Sequence, residues 1–264
     1  MPTILLTNDD GIDSPTLVPL AERLHSLGAV RVVVPDTERS WIGKAITRFD
    51  VVRVRETARG GIPMYAITGT PADCVNLGIH NLFGTRPDCV VSGINLGLNS
   101  GLAFVLSSGT VGAALEAWIA GIPAVAFSMA IPNDAYGLTG AHRIAALGAR
   151  PQSAAAVAVE IVSTIRQHGF PPDVDCFSVN MPAEVGADTP RVTTRVTRSR
   201  YGQLFVPAPE GGYLHRFQSL TALEDRPDGD MHVCQAGAVS ITPIRLELSG
   251  TVPESLRAAL EKRA

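Results

Sequence analysis

At 264 residues the chain can form one large domain or two small ones, with a sizeable core and no need of disulfide or metal staples. With 45% hydrophobic and 18% charged residues it is too apolar for an intrinsically disordered protein, and a formal charge of −3 excludes the basic excess of a dedicated nucleic-acid binder. Only Lys44 and Lys262 among its 22 basic residues are lysines; the rest are arginines. Neither a nucleic-acid polymer nor a membrane is an expected partner. The first ten residues lack a basic flank and a long apolar run, and the weakly charged stretch 110–131 is broken by Glu116 and by Gly121-Ile122-Pro123, so a cytoplasmic location is expected. Cys74, Cys89, Cys176 and Cys234 form no C-x-x-C pair and read as reduced thiols.

In chain order, residues 3–7 are a strand candidate ending in Asn8-Asp9-Asp10-Gly11. Ser14 is expected to cap a helix with Pro15 at its first position, an apolar face of Leu17, Leu20, Leu24 and Leu27, and a stop at Gly28. Residues 30–34 form a β-branched run typical of a buried parallel strand. Residues 49–56 and 62–68 read as an inserted hairpin, Thr70 as the start of a helix reaching Leu82, and 89–91 as a strand. A helix starting at 107–110, a strand at 122–127 and a helix from Pro151 to about Gln167 follow. Strands alternating with helices indicate an α/β fold, a Rossmann-like open and mostly parallel sheet with helices on both faces, within residues 1–185. In such sheets ligands gather beyond the carboxyl ends of the strands, where Asn8-Asp9-Asp10, the loop around Ser40 and Ser92-Gly93-Ile94-Asn95 converge. Residues 186–264, with strand-like pieces at 191–197, 203–206 and 238–242 and a short helix from Pro253 to the end, read as a coreless β-hairpin arm used in oligomerisation.

Adjacent aspartates at a strand end repel, and a divalent cation with oxygen ligands relieves that repulsion; service in a turn or as a helix cap is the alternative. The segment Ser92-Gly93-Ile94-Asn95-Leu96-Gly97-Leu98-Asn99-Ser100-Gly101 supplies asparagine carbonyl oxygens and glycines that let backbone approach a ligand. Ser108-Gly109-Thr110-Val111-Gly112 opens a helix and is a candidate phosphate site, or an ordinary Ser/Thr cap. No G-x-S-x-G elbow, H-E-x-x-H pair or G-x-G-x-x-G fingerprint is present.

Five stretches occur together and in order: Leu6-Thr7-Asn8-Asp9-Asp10-Gly11, Glu38-Arg39-Ser40, Ile67-Thr68-Gly69-Thr70-Pro71-Ala72-Asp73, Ser92-Gly93-Ile94-Asn95 with Gly97 and Asn99, and Ser108-Gly109-Thr110-Val111-Gly112. In this the chain strongly resembles the SurE family of metal-dependent nucleotidases. The resemblance implies hydrolysis of nucleoside 5′- and 3′-monophosphates by a metal-activated water. It implies one Mg²⁺ or Mn²⁺ per subunit on Asp9, Asp10, Ser40 and Asn95, and phosphate or nucleotide contacts from Asn8, Asn95, Ser108, Gly109, Thr110, Trp41 and Gly43. Asp9 is the expected general base, with Asp10 beside it, and the expected assembly is a dimer or tetramer with exchanged arms. Alternatives are a phosphate- or nucleotide-binding protein with little turnover, Trp41 blocking access, or a phosphatase for polyphosphate or another small phosphate ester.

Two positions depart from the family pattern. Trp41 follows the serine where a small residue is usual, and stacks on a base, forms a lid or serves an oligomer contact. Ser107 stands where an aromatic often precedes Ser-Gly-Thr. Between Asn8 and Thr47 the only basic side chains are Arg23, Arg31, Arg39 and Lys44, so a bound phosphate is expected to be neutralised mainly by a cation and aligned N–H groups.

Overall fold

Unbroken aliphatic runs such as Ile4-Leu5-Leu6 and Val32-Val33-Val34 can be buried only in strands covered on both faces, and all six side chains are at most 1% exposed. The computed structural model describes residues 1–261. The chain begins β1 (Thr3–Thr7), α1 (Leu17–Leu24), β2 (Ala29–Pro35), β3 (Val54–Arg59), β4 (Ile62–Ile67), α2 (Pro71–His80) and β5 (Cys89–Leu96). It continues α3 (Leu102–Ser107), α4 (Gly109–Ile119), β6 (Ala124–Met129), α5 (Gly140–Leu147), α6 (Arg150–His168) and β7 (Cys176–Met181). It closes with β8 (Arg191–Thr193), β9 (Ser199–Tyr201), β10 (Phe205–Pro207), β11 (Tyr213–His215), β12 (Leu220–Ala222), α7 (Asp230–Gln235), β13 (Val239–Ile244) and α8 (Glu254–Leu260).

Nine strands share one sheet in the order β3-β4-β2-β1-β5-β6-β7-β13-β8. Every pair from β4 to β7 is parallel, whereas β3 and β13 run antiparallel to β4 and β7. Leu17 and Leu20 of α1 and Ala154 and Ile161 of α6 cover one face. Val75 and Ile79 of α2 and Val111 and Ala114 of α4 cover the other. This is the expected Rossmann-like α/β sheet. Its order reverses between β1 and β5, which opens a crevice beyond their carboxyl ends.

Several elements differ from expectation for identifiable reasons. Helix α1 begins after Thr16 rather than Ser14, because the Ser14 hydroxyl pairs with Thr16 Oγ1 at 2.9 Å and Thr16 donates to the Ile94 carbonyl at 2.6 Å. The hairpin is not a detached insertion. It turns at Gly60-Gly61, both at positive φ as a two-residue hairpin turn requires, and β4 pairs in parallel with β2. Strand β5 runs to Leu96 rather than stopping at Val91, with an irregularity against β6 between Ser92 and Asn95. A side chain at Gly93 would lie 2.3 Å from the Phe127 carbonyl oxygen, so glycine lets the strand pass that point.

The tail divides differently from the expected boundary at residue 185. Strands β8 and β13 belong to the main sheet, since the alternation of β13 buries Val239 while its backbone pairs with β7. The projecting part is the small sheets β9–β12 and β10–β11. Its root is tied down by Asp230, 1% exposed, which accepts N–H bonds from Gly101 at 2.8 Å, Thr197 at 2.9 Å and Met231 at 2.8 Å. Helix α8 has no buried residue, and residues 262–264, where the terminal helix was expected to run on, lie outside the described residues.

The loop 36–47 after β2 is held from beneath by two helices. Thr70 and Asp73 form a capping box on α2, and Asp73 Oδ2 also accepts the Thr47 hydroxyl at 2.6 Å. Thr70 in turn donates to the Ala45 carbonyl at 2.6 Å. Asp73→Ala is therefore expected to lower unfolding stability in a urea titration by about 2 kcal/mol, and Asp73→Asn, which keeps an acceptor oxygen, by about half as much.

Candidate active site

Strand β1 delivers Asn8, Asp9 and Asp10 to the carboxyl edge of the sheet. Asn8 is fully buried and closes a turn on Gly11, accepting its N–H at 3.1 Å and donating to its carbonyl at 3.0 Å. Gly11 sits at φ +82°, and a side chain there would come within 2.8 Å of Thr37 backbone. Both polar atoms of the Asn8 side chain thus serve the turn that presents the two aspartates.

Asp9 is 4% exposed. It accepts the Thr110 hydroxyl at 2.6 Å and the Thr110 N–H at 3.2 Å, so the amino end of α4 points at a carboxylate of this same chain. Gly109 has no side chain because a Cβ would lie 2.9 Å from Asp9 Cβ. Burial outweighs these hydrogen bonds and pushes Asp9 up to about 6. Asp10 accepts the Leu96 N–H at 3.1 Å, and burial, followed by the charge of Asp9, holds it well above the usual carboxylate range. Glu38 adds to the repulsion at both positions, and Arg143 of α5 partly counters it at Asp10.

The other expected residues meet this pair from two directions. Asn95 at the end of β5 donates its amide to the Gly97 carbonyl at 2.6 Å, which leaves its own carbonyl oxygen without a hydrogen bond among the described residues. The glycine-rich segment behind it is not a free loop. Asn99 donates its backbone N–H to Asn180 Oδ1 at 2.7 Å and its side-chain amide to Ser128 at 2.8 Å. Ser40 is exposed and donates to Glu38 at 2.6 Å, so its oxygen lone pairs remain available. A cleft of about 280 Å³ is lined by Asp9, Ser40, Asn95 and Ser108 and, on its other side, by Trp41, Phe104 and Phe217.

Ser108 caps α4, accepting the Val111 N–H at 3.1 Å, so its side chain does what an ordinary cap does while it lines the cleft. Gly43 donates its N–H to the Ser107 carbonyl at 2.9 Å and lies against Gly112, where a side chain would come within 2.4 Å of the Gly43 oxygen. The structure uses Gly43 to seat the loop on α4. Lys44 pairs with Glu116 at 2.6 Å, and Arg39 reaches the Thr68 carbonyl at 3.0 Å and Asp36 at 3.4 Å. Neither lines the cleft, as the sparse basic residues of this stretch led one to expect. The pattern at the sequence level did not reveal Phe104, Phe217, Asn180 or Arg143. Phe104 alone had a local signal, being an aromatic three residues before Ser107.

The donors suit a hard cation. Among the described residues no three His, Cys, Asp or Glu side chains converge as a metal site. The available set is instead two carboxylates, a hydroxyl and an amide carbonyl, which are the oxygen ligands of Mg²⁺ and Mn²⁺. Two carboxylates raised by burial and by each other are stabilised by a dication between them or beside them.

Comparison with known proteins places this geometry in context. The model of the survival protein SurE family matches residues 4–203. A 5′-nucleotidase SurE of Methanocella arvoryzae is 36% identical over 250 residues, which are 93% of this chain and 92% of the relative. One from Geobacter sulfurreducens is 39% identical over 252 residues, 93% of this chain and 88% of the relative. The crystal structure of the SurE protein from Aquifex aeolicus superposes with a TM-score of 0.74 at 31% identity, covering 98% of both chains.

Metal addition tests the donor set without any assay of turnover. Mn²⁺ at about 100 times its Kd is expected to stabilise the wild-type protein by about 2.7 kcal/mol, seen as a rise in Tm. Asp9→Asn and Asp10→Asn should each remove most of that rise while far-UV circular dichroism stays native. Thr110→Val, which takes the hydroxyl from Asp9, should weaken Mn²⁺ binding by about tenfold. An undiminished rise in both aspartate variants would exclude the assignment.

Proposed function

Because the chain belongs to the survival protein SurE family, we propose that it works as a metal-dependent phosphomonoesterase through the paired aspartates at the end of β1. It is a 5′-nucleotidase, a hydrolase that cleaves nucleoside monophosphates to nucleoside and phosphate, and 3′-monophosphates belong to the proposed substrate range. The observation that carries the mechanism is the meeting of Asp9, Ser40, Asn95 and the amino end of α4 in one cleft, with Asp10 next in sequence and bonded to the Leu96 N–H.

Asp9, Asp10, Ser40 and Asn95 would hold one Mg²⁺ or Mn²⁺ per subunit. When bound, such a cation lowers the pKa of a water and offsets charge on the phosphoryl oxygens. The remaining work falls to the chain. Asp9 is the carboxylate of the pair that lines the cleft; it accepts the proton of the water that attacks phosphorus and returns it to the nucleoside oxygen as the ester P–O bond breaks. Thr110 orients that carboxylate through its hydroxyl and N–H rather than binding phosphate with them. The phosphate lies over the first turn of α4, where the Gly109 N–H and the Ser108 hydroxyl face a positive helix end. Asn8 and Gly43 act one step back, by holding the turn and the loop. Asp10, tied to the Leu96 N–H, couples β1 to the β5 segment that carries Asn95.

The reading of a binding protein blocked by Trp41 loses its support, since the Trp41 ring packs against neighbouring aromatics and the cleft beside it stays open. A homo-oligomer is the expected assembly. Phe205, Tyr213 and Leu214 of the β10–β11 hairpin are 52%, 72% and 57% exposed, an apolar surface that a second copy would cover. No helix among the described residues is long and apolar enough to cross a membrane, and the four free cysteines suit the cytoplasm.

Phosphate release from a panel of nucleoside 5′- and 3′-monophosphates, polyphosphate and sugar phosphates, with Mg²⁺ or Mn²⁺, tests the proposal. Nucleoside monophosphates should be turned over fastest and chelator should abolish the activity. Asp9→Asn should lower kcat by at least about 100-fold, the range lost when a positioned proton acceptor is removed. Preferred turnover of polyphosphate would overturn the substrate assignment.

A further inference from the structure

The cleft has two chemically different sides. One is polar and holds the phosphate machinery; the other is aromatic, and part of it arrives from the distant arm. Trp41 stands at the centre of that aromatic side. Its ring centroid is 4.8 Å from His215, 5.3 Å from Tyr201, 5.5 Å from Phe104 and 5.7 Å from Phe217. All four neighbours are edge-on or tilted, the arrangement in which the ring quadrupoles attract. Trp41 holds φ +60°, a conformation that bulky residues rarely adopt, so its packing keeps it where it is.

Trp41 is itself 39% exposed and lines the cleft together with Phe104 and Phe217, whose centroids are 5.3 Å apart. Phe217 is 38% exposed. The segment that carries it is not loosely laid. Tyr201 donates its hydroxyl to Ser107 Oγ at 2.6 Å and also contacts the Ala103 carbonyl. Ser199 accepts the Ala103 N–H at 3.1 Å, and Asp230 ties Thr197 to Gly101. Ser107 thus occupies the position of the usual aromatic and uses the space to receive the arm. Aromatic rings lining a cleft beside a phosphate site fit a ligand with a flat π-face joined to a phosphate by a short polar spacer.

We propose that Phe217, together with Phe104, forms the wall on which the nucleobase of the substrate stacks, and that the arm thereby sets the preference for base-bearing esters. This rests on the nucleotidase reading and adds the residues that select the substrate. Stacking without edge-on hydrogen bonds tolerates different bases and favours the larger purine surface.

The test uses the full-length enzyme with Mn²⁺ and compares kcat/KM for adenosine 5′-monophosphate with kcat/KM for ribose 5-phosphate, which shares the sugar phosphate and lacks the base. Phe217→Ala should lower the ratio of the two by about tenfold, mainly through KM for the nucleotide. Phe217→Leu keeps the apolar volume and should show a similar loss, while Phe217→Tyr restores the ratio. An unchanged ratio in the Ala and Leu variants overturns the stacking wall, and so does a loss shared equally by both substrates. A wild-type enzyme that hydrolyses ribose 5-phosphate and is inert on the nucleotide overturns the nucleotidase reading itself.

Discussion

Two carboxylates side by side at the end of a buried strand repel each other, and burial makes each harder to ionise. Asp9 and Asp10 are held in that situation by nearly everything around them. The Asn8–Gly11 turn fixes their direction, Thr110 and Leu96 supply hydrogen bonds to their oxygens, and Gly109 makes room for Asp9. Such an arrangement is unfavourable in the empty protein and favourable around a dication, so the free energy of the site is gained on loading rather than on folding. The strand order determines where this occurs. The reversal between β1 and β5 opens the crevice into which the two strand ends deliver Asp9 and Asn95.

The loop after β2 contributes Ser40, and its placement shows how cations are used elsewhere in the fold. Lys44 is committed to Glu116, which is nearly buried and also accepts from Asn76 at 2.9 Å. Asp73 holds the other end through Thr47. Lys44 and Arg39 therefore build the support of the loop, and Arg143 of α5 is a basic side chain whose charge reaches Asp10. The arm follows the same logic, because its polar contacts at Ser107, Ala103 and Gly101 present the aromatic wall at a defined place.

Local patterning made much of this legible. Aliphatic runs marked β1 and β2 because a doubly covered strand has no polar face to alternate with. Thr70-Pro71-Ala72-Asp73 marked the start of α2, since a cap, a proline and a reciprocal acid satisfy the first-turn N–H groups by sequence-near atoms. The same reasoning misplaced the start of α1, where Thr16 is engaged by the Ile94 carbonyl 78 residues away. It ended β5 too early, because glycine and asparagine resemble a loop until Phe127 is seen packed against Gly93. Phe217 had no local signal at all, as its meaning depends on the return of the arm to Trp41.

By itself the sequence determined the α/β class, the edge of the sheet that carries chemistry, and the oxygen-donor character of the site. These depend on strand periodicity, capping and residue type, which act over a few residues. Tertiary structure decided the roles within the site. Asn8 and Gly43 hold the turn and the loop, Thr110 is hydrogen-bonded to Asp9, and Trp41 packs edge-on with the two phenylalanines that line the cleft beside it. A polar or aromatic side chain binds whichever group reaches it first in the folded state, and those groups come from strands and helices far apart in the chain.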